Sequence, residues 1–190
     1  MKKVLLALLF AVSISTIQAQ VHFGVKGGVN FANVTNSDGG KTRIGFNGGV
    51  QVGIPVTEQI SVQPEAVYSS QGVKGDDDMQ AILNYINVPV LLQYNNPSGF
   101  FAHTGPQLGF LTSAKLKQGS QELDVKDVFK STDFSWAFGA GYVLPSGFGF
   151  NGRYNLGLSK IEDGQDAGSS KNSVFQLGIF YVIGNAKSGK

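Results

Sequence analysis

Lys26, Glu65, His103 and Arg153 are the side chains whose types could do chemistry together: two cations, a carboxylate and an imidazole. Brought to one place they would make an ion-pair network or, given a nucleophile, the acid–base half of a catalytic site. Catalysis finds little else to stand on. The chain has no Cys and only two His, His22 and His103, and it carries no phosphate loop and no metal-ligand pattern. No enzymatic activity and no cofactor are expected. The other chemistry-bearing feature is the run Asp76, Asp77 and Asp78, with Asp124 and Asp127 further on. Clustered carboxylates can take calcium, but the spacing is not that of an EF-hand and a solvated loop is the plainer reading, so no metal site is assigned.

What would position the four residues is legible in the stretch Ser135–Leu158, SWAFGAGYVLPSGFGFNGRYNLGL. Phe134, Trp136, Phe138, Ala140, Tyr142 and Leu144 share one parity; beyond the turn Phe148, Phe150, Tyr154, Leu156 and Leu158 do the same. The other parity carries Ser135, Gly139, Gly141, Asn151, Arg153 and Asn155. Two period-two runs joined by Pro-Ser-Gly predict a β-hairpin with one apolar and one polar face. Carried outward, the pattern predicts eight strands: 22–33, 43–55, 60–71, 81–94, 99–113, 132–144, 147–159 and 172–183. No composition break divides them.

The connections alternate in length. NVTNSDGGKTR, QGVKGDDDMQ, residues 114–131 and KIEDGQDAGSSK are long and polar, whereas VTEQ, NNPS and PSG are short. In an up-and-down sheet this puts long loops at one rim and tight turns at the other, the layout of an outer-membrane barrel. Met1, Lys2 and Lys3, the apolar run from Val4 to Val12, too short to span a bilayer, and the small Ala19 suited to signal peptidase read together as a signal peptide. The expected organisation is therefore a signal peptide at 1–19, a barrel domain at 20–184 and a short polar tail at 185–190. Without Lys2 and Lys3 the 15 basic residues become 13, matching the 13 acidic ones, so a nucleic-acid partner has no support. Partners expected instead are outer-membrane lipids and lipopolysaccharide, to which the Asp76–Asp78 run could bridge through divalent ions, the barrel-assembly machinery, and a protein met by the extracellular loops.

The competing reading is a soluble periplasmic lipocalin-like barrel that carries a small apolar ligand on an inward apolar face. Its outer face should then be rich in Lys and Glu. The polar parity here is mostly Gly, Asn, Gln and Ser with few charges, which suits a crowded lumen better than bulk water. An eight-stranded barrel has an interior just wide enough for side chains. Lys26, Glu65 and Arg153 would then be sealed inside on the first, third and seventh strands with His103 on the fifth, and Glu65 is expected to pair with Arg153, Lys26 or both. Pro64, Pro89 and Pro106 fall within strands, where each removes a ladder donor; bulges are the expected accommodation.

The opening FGVKGGVNFANV, the block SVQPEAVYSSQGVKG, the strand YINVPVLLQY, FFAHTGPQLGFL and the closing FQLGIFYV together resemble, in order, the PorT-like outer-membrane β-barrel family of Bacteroidota. The resemblance spans nearly all of the chain after its leader and takes in the prolines at QPE, VPV and GPQ. It implies an all-β fold, an eight-stranded antiparallel up-and-down transmembrane barrel, with a structural or interaction role in the envelope that includes assistance to protein secretion. The chain departs from the pattern at its end, where Tyr181 is followed by VIGNAKSGK rather than closing on an aromatic.

Overall fold

A computed structural model describes residues 21–35, 40–75, 79–163 and 170–183. The expected signal peptide at 1–19, the tail at 185–190 and the Asp76–Asp78 run lie outside these described residues. The strands are β1 (His22–Thr35), β2 (Lys41–Pro55), β3 (Ile60–Lys74), β4 (Met79–Asn95), β5 (Phe100–Gln118), β6 (Gln121–Asp124), β7 (Thr132–Val143), β8 (Phe148–Gly157) and β9 (Lys171–Ile183). Eight of them, all but β6, run antiparallel in the ring β1-β2-β3-β4-β5-β7-β8-β9, and β9 returns to β1 over a register from Phe23↔Ile183 to Thr35↔Lys171. Closure leaves no sheet edge in the ring, so backbone donors and acceptors are met within the protein, as a lipid surround requires.

Period-two patterning sets which way each strand faces. Phe23, Val25, Val29, Ile44, Phe46, Val50, Val90, Leu92, Leu108, Phe110, Phe150, Phe175, Leu177, Ile179 and Tyr181 are all exposed on the outer surface. Asn30, Asn47, Gln51, Gln63, Glu65, Asn87, His103, Gln107, Asn151, Arg153, Asn155 and Gln176 are all buried inside. A water-soluble carrier would show the reverse, and that alternative does not describe this barrel. An exposed aromatic and aliphatic belt around a polar filling is stable only when the solvent outside is hydrocarbon.

The tight turns 56–59, 96–99 and 144–147 lie at one rim together with the first residue of β1 and the last of β9. Two of them use a glycine at positive φ, Gly99 at 98° and Gly147 at 86°, which an L side chain would adopt only with strain. The long connections lie at the other rim. Among the described residues they include strand where alternation predicts only the loop 114–131: β5 runs on to Gln118 and folds back as β6, with Leu116↔Leu123 and Gln118↔Gln121 in register. A single 3-10 turn, Lys126–Val128, follows. KLKQ and QELD have polar residues on both faces, so period two gives no contrast there.

The prolines are accommodated without bulges. Pro64 pairs with Val90, Pro89 with Gln107 and Pro106 with Trp136, each in the register of its own ladder. The register shifts fall elsewhere, between Thr42 and Asn47 on β2 and between Asn84 and Tyr85 on β4. Pairing lapses at each of the three prolines on one of its two ladders, opposite Val52, Glu65 and Val90 respectively, and resumes in the same register, and the side chains remain on the face that parity assigns. The ladders on either side carry the load.

Candidate functional site

Lys26, Glu65, His103 and Arg153 stand on β1, β3, β5 and β8, every second strand of the ring. Four walls a quarter-turn apart thus converge on one level of the lumen. Arg153 donates from Nη1 to Glu65 Oε2 and from Nη2 to Glu65 Oε1, both at 2.8 Å. Lys26 Nζ donates to the same Oε2 at 2.9 Å. Gln63 Nε2 donates to Glu65 Oε1 at 2.8 Å, so the carboxylate accepts four bonds, its full capacity. Burial is nearly complete: Arg153 is 2 % exposed and Glu65 4 %. A lone charge at this depth would be costly, and a bidentate, fully hydrogen-bonded pair is the arrangement that compensates desolvation best.

His103 enters through Arg153, whose Nε donates to His103 Nε2 at 3.1 Å. An imidazole nitrogen that accepts carries no hydrogen, so the ring holds its hydrogen on Nδ1. Phe101, also inward, stacks on the imidazole at 5.7 Å between ring centres and meets Phe180 edge-on at 5.7 Å. Room for the pair comes from Gly139 on β7, which is the ladder partner of both His103 and Arg153. A Cβ there would lie 2.3 Å from His103 Nε2 and 2.8 Å from the Gly152 carbonyl oxygen.

Beyond the charged layer, toward the long connections, comes a layer of amides. Asn30 is its hub: Oδ1 accepts from Asn47 Nδ2 at 2.7 Å and from Gln176 Nε2 at 2.9 Å, while Nδ2 donates to Ser69 Oγ at 2.9 Å and to backbone carbonyls of Phe46 and Ser70. Arg43, at the start of β2 where alternation alone assigns it no partner, also turns inward and donates to Ser70 Oγ and the Gln71 carbonyl. Last, under the long connections, an apolar cluster of Val34, Leu83, Tyr85, Leu111, Ala114 and Ile161 fills the section. Ile161 is the contribution of the β8–β9 connection, and no strand periodicity could have singled it out.

Toward the tight-turn rim the filling gives way to a cavity of about 650 Å³, lined among others by Lys26, Gln51, Gln93, Phe101, His103, Asn151, Arg153 and Phe180. The charged layer is its floor. Among the described residues no group of three or more His, Cys, Asp or Glu is placed to hold a metal ion, and Asp124, in β6, and Asp127, in the 3-10 turn, stand away from the lumen in exposed chain.

Residues 17–163 match the family model described as outer membrane protein beta-barrel domain. The chain is also similar to the crystal structure of Neisserial surface protein A, with a TM-score of 0.56 and 14% identity over 84% of this chain and 96% of that one. It is similar in the same way to Ail, the attachment invasion locus protein of Yersinia pestis, with a TM-score of 0.50 and 18% identity over 88% of this chain and 100% of that one. No curated protein matches the sequence.

Proposed function

Because the chain belongs to the outer membrane protein beta-barrel domain family, we propose that it is a sealed, non-conducting barrel of the PorT-like kind in the outer membrane of a member of the Bacteroidota. Its work is done by the long polar connections at the outer rim, which engage a protein partner and assist secretion. The signal peptide Met1–Ala19 would export it and the barrel-assembly machinery would insert it.

The observation that carries this reading is the ion pair that crosses the lumen from Arg153 to Glu65. Behind it stand the amide layer and the apolar cluster, three successive fillings of one narrow section. A pore for solutes would need none of these, and the charge layer alone occupies four of the eight walls. The protein's distinctive outward feature is then the asymmetry of its rims, short turns at one and long chain at the other.

Two measurements test the reading. Reconstituted in a planar bilayer, the protein should give conductance at or near zero, and steady channels would defeat the sealed barrel. Photo-crosslinkers placed at Ser120 in the β5–β6 turn should capture a protein from intact cells while crosslinkers in the tight turn at Ser146 should not; equal capture from both rims would remove the interaction role.

A further inference from the structure

The cavity above the charged layer has a composition that the sealed-barrel reading does not use. One side is apolar, with Phe101 and Phe180 packed edge-on and Val182 beside them; the other is lined with amides, including Gln51, Gln63 and Gln93. Its volume of about 650 Å³ is in the range of small-molecule sites, roughly 300–1,000 Å³.

Its floor has donors to spare. Lys26 Nζ has three hydrogens and makes one hydrogen bond to Glu65; the guanidinium of Arg153 has five and makes three. The Nδ1 of His103 carries a hydrogen and has no partner, although the residue is only 5% exposed. Two cations share a single buried carboxylate, so the layer has an excess positive charge; Glu58, exposed in the turn at the mouth, does not reach this depth. Two acceptors are also left over, Asn151 Oδ1 and Gln93 Oε1, both buried and unpartnered. Unmet buried groups of this kind ask for a ligand that supplies their complements.

We propose that this cavity is a binding site for an acylated amino acid with an apolar side chain, entering from the tight-turn rim. The carboxylate would accept from Lys26, Arg153 and His103 Nδ1–H. The amide N–H would donate to Asn151 or Gln93, and the side chain would lie against Phe101 and Phe180. In outer-membrane barrels the short turns face the periplasm, so the ligand comes from that compartment. The site deepens the barrel reading without depending on its non-conducting character, which conductance measures separately.

The test uses the full barrel in lipid nanodiscs with N-acetyl-4-fluoro-L-phenylalanine as the probe, read by fluorine NMR line broadening against empty nanodiscs. The amide analogue, which lacks the carboxylate, should bind about 10-fold or more weakly, because it forfeits the charge-assisted bonds. Two variants address the cavity from different sides. Gly53→Phe fills it where a Cβ meets nothing closer than 3.8 Å, leaving every charge in place, and Lys26→Met removes donors from the floor. Each should abolish broadening while heat-modifiable gel mobility shows the barrel folded. No broadening with the wild-type protein, equal binding of acid and amide, or undiminished binding in a folded variant would each overturn the site.

Discussion

Arg153 and Glu65 project from diametrically opposite strands of the ring, β8 and β3, and two parallel hydrogen bonds of 2.8 Å join them across the whole width of the lumen. Removing one member leaves the others buried without compensation. Glu65→Gln strands two cations and should cost about 3–5 kcal/mol in unfolding free energy, the usual penalty for breaking a buried pair from one side. Conductance should nevertheless stay near zero, because the apolar cluster at the opposite rim closes the section independently. Chemical denaturation in lipid, paired with bilayer recording of the same variant, checks both statements. A variant that conducts would make the pair a gate.

Asn30 ties together β1, β2, β3 and β9 through its one side chain. Asn30→Ala should leave the amides of Asn47 and Gln176 without their acceptor, at about 1–3 kcal/mol for each stranded group. The loss should exceed that of Gln59→Ala, an exposed turn position. Unfolding midpoints of the two variants in the same lipid give the comparison.

Neighbouring glycines on β1 should behave oppositely. A Cβ on Gly28 would meet the Leu177 carbonyl oxygen at 2.2 Å and Gly178 Cα at 2.7 Å, whereas on Gly27 the nearest atom is 3.7 Å away. Both contacts at Gly28 are backbone of β9, the strand that closes the ring. Gly28→Ala is expected to lower the folded yield on heat-modifiable gels, and Gly27→Ala to leave it unchanged. Equal yields would mean that the β1–β9 seam has slack that these distances exclude.

Exposed leucines separate the lipid belt from the wet rim. Leu177 is 48% exposed on the barrel wall and Leu123 64% exposed on β6, beyond the ring. Leu177→Arg should cost about 2–4 kcal/mol if that position faces the bilayer midplane, and Leu123→Arg should fall within about 0.5 kcal/mol of the wild type. Urea unfolding in liposomes reads both.

On β6 the carboxyl of Glu122 lies below the usual carboxylate range, held there first by the hydrogen bond from Lys115 Nζ at 2.9 Å and then by the charges of Lys115 and Lys117. A depressed folded value means that the stabilisation is present above the ordinary carboxylate range and lost as pH falls through the lowered one. The pair is exposed and screened, so the effect should be local. Carbon-detected NMR titration should place Glu122 below the ordinary carboxylate range, and Lys115→Met should raise it back towards that range.

Much of this was readable from residue types. Alternation alone assigns Phe175, Leu177, Ile179 and Tyr181 to one face and Arg153 and Asn155 to the other, because a strand has only two faces and lipid and lumen differ sharply in what they accept. Lys26, Glu65 and Arg153 stood out as charges on a face otherwise made of glycine and amides. What stayed hidden depends on distances between strands. Phe101, Phe180, Leu83 and Tyr85 are apolar residues on the polar parity, and only the closed ring shows that the first two wall a cavity while the others plug the far rim. The register through Pro64, Pro89 and Pro106 was also invisible, since a missing donor can be met by a bulge or by a lapse in one ladder. The turn from β5 into β6 is made where both faces are polar, so no period marks it.

The orientation of the two faces is open to one direct measurement, made clean by the absence of native cysteine. Single cysteines at positions 174 to 181 of β9, spin-labelled in liposomes, report collision rates with oxygen, which concentrates in lipid, and with a water-soluble nickel complex. Oxygen contact is expected to peak at 175, 177, 179 and 181 and to fall at 174, 176, 178 and 180. The opposite phase, with maxima at Val174, Gln176 and Phe180, would put the amides in lipid and the aromatics in the lumen, and would contradict the barrel described here.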